Sequence, residues 1–233
     1  MNLQLVDIKN LPKTSNIDGT PLYANPIRII RRFFLKRNEL CLRFLTVTEG
    51  NILDVGCGNG VLLPTLSQNN GMIVGVDIHE SLPQVNKYLK NNNFQTIHLI
   101  QSDCHFLPFK KSVFNSILVV STFDHFLKPF LVVKQLHRAI VSKGSIIFGF
   151  HVTNLAYYLT KIIFNIVYII SSFMLFHNFK EFLSYLIFKQ KEWRHLYSDS
   201  VLIQKISKKF SIKKMVYLRL IYPIFVALKS VKE

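Results

Sequence analysis

The apolar positions of this chain change their spacing three times. Over residues 26–47, Ile27, Ile30, Phe34 and Leu45 recur at helical intervals among Arg28, Arg31, Arg32, Lys36, Arg37 and Arg43. That spacing predicts a basic amphipathic helix. Pro26 falls in its first turn, where a missing N–H costs little. From residue 51 onward, short apolar runs alternate with helical patterns. Strands are expected at 51–55, 72–77, 96–101, 115–121 and 145–150. Helices are expected from the turn after residue 55 to about 68, at 82–90 and at 127–141, with Gly144 as a stop just beyond the last. The unbroken run Ile117, Leu118, Val119, Val120 suits a strand buried on both faces. Strands alternating with helices imply a parallel sheet covered on both sides.

Residues 155–190 break this rhythm. The stretch 162–176 contains one Asn and no charged residue, and a second apolar run follows at 183–188. A membrane span needs about 20 apolar residues, more than the first run supplies. One crossing would also strand the last β segments across the bilayer from the sheet they should complete. The expectation is therefore a helical hairpin that caps the site or dips into one leaflet. An amphipathic helix is expected after Asp199 to about 209. Two β pieces, 212–220 and 224–228, then flank Tyr222-Pro223. The parts are thus a lead-in loop and basic helix (1–49), a core (50–151), a hydrophobic insert (152–195) and a C-terminal helix with β pieces (196–233), all within a single domain.

Composition changes this picture in two ways. The chain of 233 residues is 49% hydrophobic and carries a net charge of +16, which favours an acidic partner such as nucleic acid or an anionic membrane. The excess sits at the ends: residues 1–50 hold 8 basic and 4 acidic side chains and residues 191–233 hold 10 and 3, against 8 and 5 in residues 51–150. Cys41, Cys57 and Cys104 form neither a disulfide framework nor a metal pair, and the eight His have no metal-ligand spacing, so no metal is expected. Without an apolar leader run at the start, a cytoplasmic location is expected, with peripheral membrane contact through the basic helix and the basic C-terminal third.

The chemistry is concentrated at residues 52–60, ILDVGCGNG. A strand ending in Asp54, then Gly56-x-Gly58-x-Gly60, then a helix, is a ligand-binding turn in which Gly lets the backbone approach the ligand. Asp54 directly before the turn would repel a pyrophosphate and suits a cationic amino group. Asp77 ends the next strand, 17 residues after Gly60, where a carboxylate can accept from ribose hydroxyls.

With these residues in order, the chain resembles the class I S-adenosylmethionine-dependent methyltransferases, most of all the type 11 group that includes ubiquinone and menaquinone methyltransferases. The resemblance covers roughly residues 50–150. It implies a Rossmann-like, doubly wound α/β sheet, mostly parallel with an antiparallel last strand, carrying the hydrophobic insert after the fifth strand. It implies S-adenosylmethionine as cofactor, held by Asp54, Gly56, Cys57, Gly58 and Gly60. Asp77 would hold the ribose and Ile78 would flank the adenine. SDCHFLPF matches the family's third element, so Asp103 would accept from the adenine amino group and Cys104 would donate its N–H to the ring. At the fourth strand end, STFDHF, Ser121 would line the methionine moiety while Asp124 and His125 face the substrate. That end lacks the prolines typical of base-amine methyltransferases.

Transfer to a hydroxyl requires a base with a pKa near neutrality. His125 is the first candidate and His151, after the fifth strand, the second. A greasy insert suggests a small hydrophobic or lipid-linked acceptor. An RNA methyltransferase would instead place basic residues around the cleft, and a non-catalytic cofactor-fold protein would not need the full set of acids.

Overall fold

The computed structural model describes residues 23, 27–45, 50–153, 196–219 and 223–233. The hydrophobic insert and most of the lead-in segment, including the expected cap or membrane contact at 155–190, lie outside the described residues. Among the described residues no helix is long and apolar enough to cross a membrane.

The chain enters through helix α1 (Arg28–Leu42). It then alternates strand and helix through β1 (Ile52–Val55), α2 (Leu63–Leu66), β2 (Ile73–Asp77), α3 (Leu82–Asn91), β3 (Ile97–Gln101), β4 (Phe114–Val120), α4 (Pro129–Ala139) and β5 (Ile140–His151). Helix α5 (Asp199–Ser207) precedes the closing strands β6 (Ser211–Arg219) and β7 (Pro223–Val231). The seven strands form one sheet in the order β3-β2-β1-β4-β5-β7-β6. The first five are parallel; β7 runs antiparallel to β5 and β6 antiparallel to β7. The sheet is therefore doubly wound and mostly parallel, with its antiparallel strands at one edge.

Alternate side chains of the central strands feed two cores, as the period-two geometry of a strand requires. Leu53 and Val55 of β1, Ile117 and Val119 of β4, and Ile146, Phe148 and Phe150 of β5 pack with α4 and α5 on one face. Ile52, Leu118, Ile147, Phe225 and Ala227 pack with α1, α2 and α3 on the other. The chain winds outward in opposite directions from β1 and β4, so the carboxyl ends of these two strands flank a crevice where doubly wound sheets bind ligands.

One expectation is corrected. Gly144 is not a helix stop: α4 ends at Ala139 and β5 begins at Ile140. Pairing with β4 overrides the local signal. Ile140 pairs with Phe114 and Ser145 with Ser116, so two steps along β4 match five along β5. The extra residues bulge. Lys143 takes a left-handed φ of 59°, and its N–H donates to the Lys232 carbonyl while Lys232 N–H donates to Gly144. The other expected helices and strands are present with shifted ends, α2 being shorter and β7 longer than their patterns implied.

Helix α1 reaches the sheet only because β5 is bare at Gly149. A Cβ there would lie 2.6 Å from Cys41 Sγ and 2.7 Å from Phe225 Cζ. Gly149→Val should therefore destabilise the protein by about 1–3 kcal/mol through overpacking, and Cys41→Ala should restore part of the loss in the double variant. Urea unfolding of the four proteins measures this coupling; additive effects would mean that α1 does not dock at this point.

Candidate active site

At the carboxyl ends of β1, β2 and β4 lies a cleft of about 510 Å³, lined among others by Asp54, Gly56, Gly58, Asp77, Asp103, Ser121, His125 and His151. This is the size of a small-molecule site. Its floor is the glycine turn after β1. Gly56 has φ of 73°, and a Cβ on it would meet Thr122 Cγ2 at 2.3 Å, so the turn closes only with glycine. Gly56 N–H donates to Val76 and Thr122 Oγ1 donates to Gly56, tying the turn to β2 and to the end of β4.

Three carboxylates end the first three strands or follow them closely. Asp77 accepts from Gly58 N–H at 2.8 Å and from His79 N–H at 3.1 Å. Asp103 accepts from both the backbone and Nδ1 of His105, at 2.8 and 2.6 Å. Burial works against its ionisation, but these hydrogen bonds hold its carboxyl below the ordinary carboxylate range. The His105 ring also accepts from Lys128 N–H at 3.3 Å, which links this acid to the start of α4. Asp54 is 3% exposed. Burial, reinforced by the negative charge of Asp77, pushes its carboxyl up to about 7. Burial pushes the Cys104 thiol up to about 12, so it behaves as a packing residue rather than a nucleophile. Ile78 stands exposed at the mouth.

Beyond β1 the chemistry changes. Asp124 does not face the cleft, as its place in the sequence had suggested. Its carboxylate is 1% exposed and turned onto His151, accepting from the backbone N–H at 3.3 Å and lying 3.0 Å from Nδ1. Arg37 Nη1 lies 3.1 Å from His151 Nε2, and Nη2 donates to Ser121 Oγ. A guanidinium can only donate. Nε2 must therefore accept, Nδ1 must carry the proton, and His151 is the neutral Nδ1–H tautomer between a carboxylate and a cation. His125 Nε2 lies 3.8 Å from Asp124 Oδ1, beyond hydrogen-bond range, and its ring lines the cleft.

Arg37 is the residue the sequence misplaced. Read as part of a solvent-facing basic surface, it is 3% exposed and lies over the rings of Phe34 and Phe225, 4.9 and 4.8 Å from their centroids. The only signal for it was its place one turn after Phe34, on the apolar side of α1. The structure brings Asp54, the glycine turn, Asp77, Ile78, Asp103, Cys104, Ser121, His125 and His151 around one cleft. No cluster of His, Cys, Asp or Glu that could hold a metal occurs among the described residues.

The donor set fits S-adenosylmethionine. Asp103 and the Cys104 backbone suit an adenine edge, Asp77 suits a ribose, and buried Asp54 suits a cationic amino group beside a glycine floor. The strand order and these strand-end acids define a class I S-adenosylmethionine-dependent methyltransferase fold. Residues 53–148 match the family model described as methyltransferase domain. The chain is 28% identical over 138 residues to a ubiquinone biosynthesis O-methyltransferase of Coxiella burnetii, covering 59% of this chain and 58% of that protein. It is 33% identical over 86 residues to a ubiquinone/menaquinone biosynthesis C-methyltransferase of Wigglesworthia glossinidia brevipalpis, covering 35% and 34%. It thus spans less than two thirds of the length of these curated relatives. Among solved structures, the PH0226 protein of Pyrococcus horikoshii superposes with a TM-score of 0.67 at 17% identity, covering 93% of this chain and 97% of that one. The N-methyltransferase NodS of Bradyrhizobium japonicum, solved with S-adenosyl-L-homocysteine, superposes at 0.62 with 11% identity and 94% of both chains covered. These likenesses carry the fold. Residues 53–148 thus carry a methyltransferase domain of the type 11 kind, on a sheet with the class I methyltransferase fold.

The raised Asp54 carboxyl sets the sign of a pH effect. The folded protein holds this proton up to about pH 7, so the free protein loses stability as pH rises from the ordinary carboxylate range through 7. A cationic ligand group prefers the ionised form. Binding of S-adenosylhomocysteine at pH 6 should therefore release nearly one proton, with affinity falling by up to about tenfold per pH unit below 7. Calorimetry in buffers of different ionisation enthalpy measures the release, which should vanish at pH 8.5 and in Asp54→Asn. Equal proton release by wild type and variant would remove Asp54 from the site.

Proposed function

We propose that this protein transfers a methyl group from S-adenosylmethionine to a small acceptor with an apolar body, of the quinone-like or lipid-linked kind. One observation carries the size class: among the described residues lining the cleft, Arg37 is the only lysine or arginine. An RNA substrate needs several cations to meet its phosphates. The wall beyond β1 is instead built from Phe34, Val120, Phe126 and Leu127. The quinone-pathway relatives support the same class of acceptor. A non-catalytic role would leave the full set Asp54, Asp77 and Asp103 without purpose.

When bound, S-adenosylmethionine supplies a methyl group already activated on a sulfonium. The protein's own work is then to orient the acceptor, exclude water and manage one proton. His125 lines the cleft, and its imidazole takes the proton of an acceptor hydroxyl. His151, occupied on both nitrogens, positions Arg37 and orders the wall. Outside the cleft, the exposed Arg28, Arg32 and Lys36 of α1 support peripheral contact with anionic lipid.

Methyl-labelled S-adenosylmethionine incubated with the protein and a cell lysate should place label in the solvent-extractable fraction. Label confined to nucleic acid would overturn the small-acceptor reading. With an acceptor in hand, His125→Ala should lower kcat by about 100-fold or more at neutral pH and leave cofactor affinity unchanged. The deficit should shrink as pH rises toward the acceptor's own pKa; a variant of full activity would show that the acceptor needs no base.

A further inference from the structure

The four most exposed large apolar side chains among the described residues are Ile29, Ile78, Phe106 and Leu127, 66–72% exposed. All four stand at the end of the molecule where the cleft opens. Ile78 follows Asp77 at the end of β2, and its carbonyl accepts from Gln101 at the end of β3. Phe106 closes the turn Cys104–Phe106 that follows β3. Lys128 N–H donates to the ring of His105 at 3.3 Å, so Leu127 and Lys128 lie beside that turn. Ile78, Phe106 and Leu127 thus follow one another along the rim from β2 to the start of α4.

Helix α1 supplies the other bank. Arg37 reaches Ser121 and His151 at the strand ends, while Phe44 lies 5.3 Å from Lys214 Nζ near the start of β6. The first half of α1 therefore points past the mouth. Nine residues before Arg37, at a rise of about 1.5 Å each, extend up to about 13 Å along the helix axis. This half carries Ile29 with Arg28, Arg32 and Lys36, all exposed. Lys128 is exposed across the mouth. The acids Asp54, Asp77 and Asp103 line the cleft below, where the cofactor fits, and Glu80 is the exposed acid nearest the rim.

Grouped apolar side chains left in water mark a binding surface, and an apolar group edged by lysine and arginine matches the interface of a bilayer with anionic lipid. Charge alone does not single out this end: Lys110, Lys111 and Lys143 are exposed at the amino ends of the strands, without apolar side chains of comparable exposure. We propose that the mouth of the cleft is a membrane-docking surface. Ile29, Ile78, Phe106 and Leu127 enter the interfacial layer, Arg28, Arg32, Lys36 and Lys128 meet anionic headgroups, and an apolar acceptor passes from the bilayer into the cleft without crossing water. That passage rests on the reading of the cleft as a methyl-transfer site; the docking does not.

Co-sedimentation of the full chain with vesicles of phosphatidylcholine and phosphatidylglycerol, at about 3:1, tests this. The wild type should bind them, and Ile29→Glu/Phe106→Glu should bind at least about tenfold more weakly. Arg28→Glu/Arg32→Glu should lose the preference for these vesicles over pure phosphatidylcholine. Lys110→Glu/Lys111→Glu, at the opposite end, should bind as the wild type does. All three variants change exposed side chains and should keep wild-type affinity for S-adenosylhomocysteine, which also reports that they fold. No vesicle binding by the wild type overturns the proposal, as does binding that survives Ile29→Glu/Phe106→Glu or is lost in Lys110→Glu/Lys111→Glu. A dimer in solution that Ile29→Glu/Phe106→Glu dissociates overturns it by giving the rim to a second copy. If vesicle binding follows the rim while no protein binds S-adenosylhomocysteine, the methyl-transfer reading fails and the docking surface stands.

Discussion

A carboxylate placed where Asp124 lies, 1% exposed, can stay ionised only if hydrogen-bond donors meet it. The backbone N–H and the ring of His151 meet it, and the rest of the site follows. The imidazole gives Nδ1–H to the carboxylate and so presents Nε2 as an acceptor. That acceptor takes a hydrogen bond from Arg37, whose other edge reaches Ser121. The guanidinium can arrive only if α1 lies on the sheet, and α1 lies there because β5 offers Gly149 under Cys41. One buried side chain therefore connects the end of β5, the turn after β4 at Phe123–His125 and the first helix into one wall. Ser121 accepts its place at a left-handed φ of 59°, a conformation uncommon outside glycine and frequent at functional sites.

The half of the site that touches β1, β2 and β3 was legible in the sequence because it is local. Asp54, the glycine turn, Asp77 and Asp103 each sit at or just beyond the end of a strand, and a parallel sheet brings such ends together whatever the loops do. The other half was not legible, because it depends on which face of α1 docks. Five basic residues, Arg28, Arg31, Arg32, Lys36 and Arg43, fall within an arc of about 140°, and Arg37 stands apart from them beside Phe34. What Arg37 meets there depends on docking against β5 and β7, where Gly149, more than a hundred residues away, admits Cys41. Asp124 was misread for a related reason: its neighbour in sequence, His125, does line the cleft, but the tight turn rotates adjacent side chains apart. Gly144 has the composition of a helix stop, and cross-strand pairing with β4 outweighs it.

The net charge of +16 and the chemistry of the cleft also separate cleanly. Acids dominate the cofactor half of the cleft, while the surplus of lysine and arginine lies on the flanking segments. A cationic ligand group is therefore held by short-range carboxylates inside a protein whose outer field is positive. Within about 8–10 Å at physiological salt the local acids decide; beyond that distance the basic exterior favours anionic surfaces and solutes.

The wall opposite the glycine turn has a consequence for how such a protein can change. Phe34 and Arg37 come from α1, and the buried Phe225 that backs the guanidinium comes from β7, elements that lie on either side of the cofactor-binding core in the chain. Substitutions in these two flanks can thus reshape the wall without touching the strands that carry Asp54, Asp77 and Asp103. The fold separates a fixed reagent holder from a replaceable face, and the seam between them runs along β5 at a single glycine.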